Sequence, residues 1–353
     1  MSLGDRLRGE IAAGGPISVA DFMSRCLHDP QDGYYATRPA IGAAGDFITA
    51  AQVSQMFGEL IGLWLVETWR RLGAPARAIL AEAGPGDATL MDDILRAARL
   101  DPAFLAACEL WLVETSAPLR RLQAERLARA PLTPRWAGAV AEIPGDAPLL
   151  LIANEFLDCL PARQFQRTRE GWAERRVGLD SKGDLAFGLG PPLPRGGFPD
   201  APQGSVVERS LPQEAFAAEV GARIAAAGGA ALLIDYGRAA PGVGDTLQAL
   251  AGHRKADPLA APGSADLTVH ADFPAVQAAA RATGAEAGLL SQGEFLRRLG
   301  VETRARRLAE AHPERAGQIA RQLARLVAPD QMGELFKAAA LWRGPAPPGF
   351  ESL

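Results

Sequence analysis

The sequence predicts an α/β fold with a largely parallel sheet covered by helices on both faces. Three observations carry that prediction. Short, continuous apolar runs recur between residues 76 and 165: ARAILAEA, LWLVET and PLLLIAN. Amphipathic stretches, TLMDDILRAAR and APLRRLQAERLAR, separate them. Strands buried on both faces lose their polar alternation, and the helices between them carry the crossovers. A Gly-Pro-Gly turn (Gly84, Pro85, Gly86) links the first run to the first helix.

The chain's 353 residues, 48% of them apolar, are enough for one enlarged domain or two. Its 37 basic and 41 acidic residues give a net charge of −4, which argues against a nucleic-acid binder. It leaves room for a cationic protein substrate. Cys26, Cys108 and Cys159 form no CxxC pair, and the four histidines are scattered, so neither a disulfide framework nor a metal site is expected. The first residues mix acidic and basic side chains with no apolar core behind them, and no run reaches the roughly 20 apolar residues of a membrane span. A cytoplasmic protein without membrane insertion is the expectation, with a homodimer left open.

Residues 1–75 read as an N-terminal helical and lid segment. Leu3, Leu7 and Ile11 share one helical face, and a longer apolar helix spans about 54–72. The polar stretch HDPQDGYYATRPAIGAAGDF lies between them, too long for a simple turn. Asp46 and Phe47 in it are candidates for a lid, against the plainer alternative of a solvent-facing turn. Residues 76–250 read as the core with a β insertion, because RQFQRT and WAERRV alternate as antiparallel strands do. GPPLPRGGFPDAPQG and APGVGDTLQALAGHRKADPLAAPGSADLT read as long loops. Residues 251–330 are expected to form a helical cap, with helices over about 291–327. Residues 331–353 would supply a final strand, ELFKAAALW, and a tail.

Ligands of open α/β sheets bind beyond the carboxyl ends of the strands. At the first such end, Glu82 precedes a turn whose glycines let backbone approach a ligand. The helix N-terminus that follows suits a carboxylate or a phosphate equally well. Two features favour S-adenosyl-L-methionine over a dinucleotide. Thr89 replaces the third glycine of GxGxxG, and Glu114 ends the second strand, where a carboxylate accepts from both ribose hydroxyls. Asn154 and Glu155 follow the third strand, as site residues or as a helix cap. Asp235 and Tyr236 end a later strand, ALLIDYG, and His253 is a lone loop histidine, either a base or simply solvated.

ILAEAGPGDATLMDDILR, LVETSAPLRRLQ, ANEFLDCLPARQF, LLIDYGR, SQGEFLRRLGV and MGELFKAAAL, in that order, resemble the MidA-like methyltransferases. GPISVADFMSRCLHDPQDGYY and GDFITAAQVSQMFGEL extend the resemblance over nearly the whole chain. It implies a class I, Rossmann-like, seven-stranded methyltransferase core with an N-terminal helical segment and inserted helical and β cap elements. Relatives include the mitochondrial complex I assembly-factor enzyme, understood to dimethylate an arginine symmetrically on a complex I subunit. The cofactor implied is S-adenosyl-L-methionine, with Glu82, Gly84 and Gly86 lining its methionine part and Glu114 its ribose. Asp87 and Asn154 join the binding set. Glu155, Asn154 and Asp158 would face the transferring methyl and the substrate, with Asp46, Phe47, Asp235, Tyr236 and His253 on the substrate side. The chain departs from the family pattern at Ala83, Asp87, Ala88, Gln248 and Leu250. Those departures keep a different substrate, or a binding factor on the same fold, as alternative readings. A Rossmann dehydrogenase is disfavoured by Thr89.

Overall fold

The computed structural model describes residues 1–37, 49–194, 196–252 and 254–351. Its central sheet is built from β1 (Ala78–Ala83), β2 (Cys108–Val113), β3 (Arg135–Ala137), β4 (Leu149–Asn154), β5 (Gly229–Arg238), β6 (Glu286–Ser291) and β7 (Phe336–Arg343). The order across the sheet is β3-β2-β1-β4-β5-β7-β6. β7 runs antiparallel to both of its neighbours, while β1 to β5 pair in parallel. A short segment, Ala271–Asp272, extends the far end of β5. This is the seven-stranded arrangement expected of the sequence.

Side chains alternate across the sheet, as period two requires. Leu80, Leu110, Leu150, Ile152 and Leu232 face the side covered by the helices Gln55–Arg71 and Thr89–Ala98. Ile79, Ala81, Leu149, Leu151 and Leu233 face the other side, where Val220 and Ile224 of the helix Leu211–Ala227 pack with Phe273 and Val276. The first pair of helices touches closely through a glycine. A Cβ built on Gly58 would lie 2.5 Å from the Cβ of Asp93.

A second, antiparallel sheet joins Arg163–Arg167, Trp172–Leu179, Leu185–Pro192 and Val206–Arg209, with Ile17–Ser18 at one edge. The helices Leu3–Gly14 and Val19–His28 pack in the same apolar cluster as Val177 of that sheet.

The segment from Ala240 to Thr268, read from sequence as loop, departs from expectation. It contains a three-stranded antiparallel sheet of Gln248–Ala251, Arg254–Ala256 and Asp266–Thr268. Its strands are short, and their buried members, Ala249 and Leu267, pack on Leu3, Leu7 and Phe22 from the start of the chain. Local alternation is too brief to reveal burial supplied from so far away in sequence. Residues 251–330 are likewise not a purely helical cap. Phe273–Ala282 covers the central sheet and β6 is one of its strands.

Candidate active site

A cavity of about 630 Å³ opens at the carboxyl ends of β1 to β4, within the roughly 300–1,000 Å³ of small-molecule sites. Its floor follows from the turn after β1. Gly84, Gly86 and Ala88 all have positive φ, at 65°, 54° and 62°. A Cβ on Gly84 would meet Phe156 at 2.7 Å, so only glycine fits there. Glu82, immediately before the turn, is 2% exposed, and its Oε2 has no hydrogen-bond partner. Burial, reinforced by the charge of Asp87, pushes its carboxyl up to about 8.

Asp87 lines the cavity, but its carboxylate is already engaged. Oδ1 accepts from the Thr89 N–H at 3.0 Å, and Oδ2 pairs with Arg126 at 2.9 Å. It shapes the turn from outside, held by the helix Ala117–Arg126.

Glu114, after β2, accepts from the Ser116 N–H at 2.7 Å through Oε1 and from Gln123 at 3.3 Å through Oε2. Burial raises its pKa. The Gln123 amide also donates to the Gly86 carbonyl at 2.8 Å. One buried side chain thus ties the first turn to the second.

Asn154 ends β4 with its Oδ1 buried and unpartnered, and its Nδ2 donates to Glu155 Oε1 at 3.2 Å. Glu155 adopts φ 52°, a left-handed backbone rarely used by a residue with a Cβ. Its N–H donates to the Ile234 carbonyl at 2.8 Å, and its Oε1 accepts from the Ala50 N–H at 2.8 Å. Among the described residues both donors to this side chain therefore fall on Oε1. Burial pushes this carboxyl up to about 7.

The cavity brings together Glu82, Gly84, Gly86, Asp87, Glu114, Asn154 and Glu155. Asp158, Asp235 and Tyr236 stand behind its wall instead. Asp235 is fully buried and accepts from the backbone N–H groups of Leu157, Asp158 and Tyr236. It holds the chain after β4 in place rather than facing a ligand, and burial pushes its carboxyl well up. The Tyr236 hydroxyl donates to Asp158 Oδ2 at 2.5 Å, so each is the other's partner. Asp46, Phe47 and His253 lie outside the described residues.

Sequence reasoning did not reach several other lining residues: His28, Thr49, Gly138 to Val140 after β3, and Phe156 with Phe216 and Glu219. The Phe156 and Phe216 rings pack 4.8 Å apart. These positions come from separate elements, and no local spacing marks them. Tyr35 also lines the cavity; its hydroxyl donates to Asp266 at 3.0 Å, and its carbonyl accepts from Ser116.

The electrostatic character is one-sided. Glu82, Asp87, Glu114, Glu155 and Glu219 line the cavity, and no lysine or arginine does so among the described residues. Such a wall favours cationic ligands and disfavours a pyrophosphate. No group of three or more acidic, histidine or cysteine side chains suited to a metal occurs among the described residues, and no described helix is long and apolar enough to cross a membrane.

Comparison with known proteins identifies the family. Residues 60–290 match the family described as "Putative S-adenosyl-L-methionine-dependent methyltransferase". The protein arginine methyltransferase NDUFAF7, mitochondrial, of Bos taurus is 35% identical over 94% of this chain and 81% of its own length. Its Drosophila melanogaster homolog is 35% identical over 97% and 85%. A Burkholderia thailandensis crystal structure bound to S-adenosyl-homocysteine superposes with a TM-score of 0.85 at 28% identity, covering 99% of this chain and 94% of that one. The curated relatives are named as mitochondrial proteins, which overturns the expectation of a cytoplasmic location.

Proposed function

Because this chain belongs to the S-adenosyl-L-methionine-dependent methyltransferase family that includes the NDUFAF7 enzymes, we propose that it methylates an arginine side chain of a protein. The single observation that carries this reading is the cavity wall of Glu82, Glu114, Glu155 and Glu219 with no lysine or arginine among the described residues. Both the sulfonium cofactor and a guanidinium are cations, and both gain from such a wall.

The residues present fit the cofactor. Glu82 Oε2 and Asn154 Oδ1 are buried acceptors without partners among the described residues, and a buried acceptor left unpaired costs about 1–3 kcal/mol. The Glu82 carboxylate suits the ammonium of the methionine part, which approaches over the Cβ-free surface of Gly84. Glu114 keeps a second lone pair on each oxygen for the ribose hydroxyls. When bound, S-adenosyl-L-methionine supplies an electrophilic methyl on sulfur.

Glu155 is assigned to the substrate. Its carboxylate grips a guanidinium by charge-assisted hydrogen bonds, fixing which nitrogen faces the methyl. On methyl transfer the attacking nitrogen would shed a proton, and Oε2 of Glu155 would take it. Asn154 holds Oε1, and the Ala50 N–H anchors the same oxygen, so the carboxylate cannot swing away. A complex I subunit, implied by the family resemblance, is the first substrate to try.

Incubation of the full chain with methyl-labelled cofactor and mitochondrial extract tests the reading. Label on an arginine of a discrete protein band supports it. Label on a small molecule or on another residue type replaces the substrate, and no label at all replaces the enzyme with a binding factor.

A further inference from the structure

Glu219 sits on the cavity wall with its Oε1 buried and, among the described residues, without a hydrogen-bond partner. It belongs to the helix Leu211–Ala227, which lines the cavity with Pro212, Ala215 and Phe216 as well. At one side of it, one turn earlier, Phe216 packs on Phe156 beyond β4. At the other, one turn later, the Arg223 guanidinium donates to the carbonyls of Val140 and Pro144, in the chain that follows β3. Glu219 therefore lies between those two anchors and faces the end of the cavity walled by Gly138, Ala139 and Val140. Glu142 of that loop is exposed and accepts from the Gly138 N–H at 2.7 Å.

A ligand with its methionine part at Glu82 and its ribose at Glu114 extends its base toward this end, since β1, β2 and β3 are consecutive neighbours. We infer that Glu219 is a specificity residue whose Oε1 accepts a hydrogen bond from the exocyclic amine of the adenine ring. The inference rests on the cofactor reading above and adds to it the group that selects the base. A carboxylate accepts and does not donate. It rewards the 6-amino group of adenine and repels the 6-oxo group of hypoxanthine, which is itself an acceptor. A site whose buried polar group is left unpaired by the wrong ligand discriminates strongly against it.

Calorimetry with the full chain and two probes, S-adenosylhomocysteine and S-inosylhomocysteine, tests this. The wild type is expected to bind the adenosyl compound about 10- to 100-fold more tightly, the range of a hydrogen bond to a charged group. Glu219→Gln places an amide that both donates and accepts, so the preference is expected to shrink, with the inosyl compound gaining affinity. Glu219→Ala is expected to weaken only the adenosyl compound. An unchanged ratio in both variants, with the wild type binding S-adenosylhomocysteine normally, overturns the role of Glu219 and leaves a water molecule as the partner of Oε1. A wild type that binds neither probe overturns the cofactor assignment itself.

Discussion

The indole N–H of Trp136 donates to the Gln123 side-chain oxygen at 2.8 Å, which points the amide nitrogen of Gln123 at the Gly86 carbonyl and at Glu114. An amide can face either way; the indole, a donor only, decides which. Through this orientation Trp136 of β3 acts on the turn after β1, in addition to the backbone bond that β3 makes to Glu114 through the Ala137 carbonyl.

Gln123→Leu keeps the volume and removes every partner. Chemical denaturation is expected to show a loss of about 1–3 kcal/mol for each buried group left unpaired, and cofactor affinity falls with it. Trp136→Phe frees the amide to rotate and costs about 1 kcal/mol. Unchanged denaturation midpoints for both would remove the clamp.

Glu114→Ala is expected to weaken S-adenosylhomocysteine binding by about 1–3 kcal/mol, the range for hydrogen bonds to a charged group. A dissociation constant equal to that of the wild type would take Glu114 off the ribose.

Glu155→Gln is expected to retain cofactor binding and to lose methyl transfer by about 100-fold or more, the scale for removing a group that stabilises transition-state charge. The amide still accepts from Ala50, so the chain stays in place, but it neither balances a guanidinium nor takes a proton. Normal turnover would assign the role elsewhere.

Glu82 makes binding pH-dependent. Its ordinary pKa is 4.5, and burial in the unliganded fold raises it to about 8. The folded state therefore holds a proton that the unfolded chain has lost between those values. Stability without cofactor is fully present below about 4.5 and declines as the pH rises through about 8. An ammonium beside Glu82 favours its charged form, so cofactor binding near pH 7 should release a proton. Calorimetry in buffers of different ionisation enthalpy reads that proton directly, and Glu82→Gln should abolish its release.

Much of the site was legible from neighbouring letters. Each of Glu82, Glu114 and Asn154-Glu155 stands at the end of an apolar run, and in a parallel sheet those ends share one edge. Asp235 obeys the same rule, yet its carboxylate is consumed by two backbone N–H groups of the chain after β4 and by that of Tyr236 beside it. Ends of strands are readable; what a side chain meets there is not. The short strands of Gln248–Ala251 and Asp266–Thr268 escaped for a related reason, since the apolar surface that buries them comes from Leu3 and Leu7.

By itself the sequence determined the alternation of strand and helix, the glycine turn after Glu82 and the carboxylates at the sheet edge. Those depend on covalent neighbours and on hydrophobic period. The tertiary structure alone decided which carboxylates stay open to a ligand, because hydrogen-bond donors arrive from distant segments. Ala50 orients Glu155, Gln123 orients Glu114, and no donor among the described residues reaches Oε2 of Glu82 or Oε1 of Glu219. Partnering and burial are properties of the packed chain, and they turn a row of acidic residues into a site for cations.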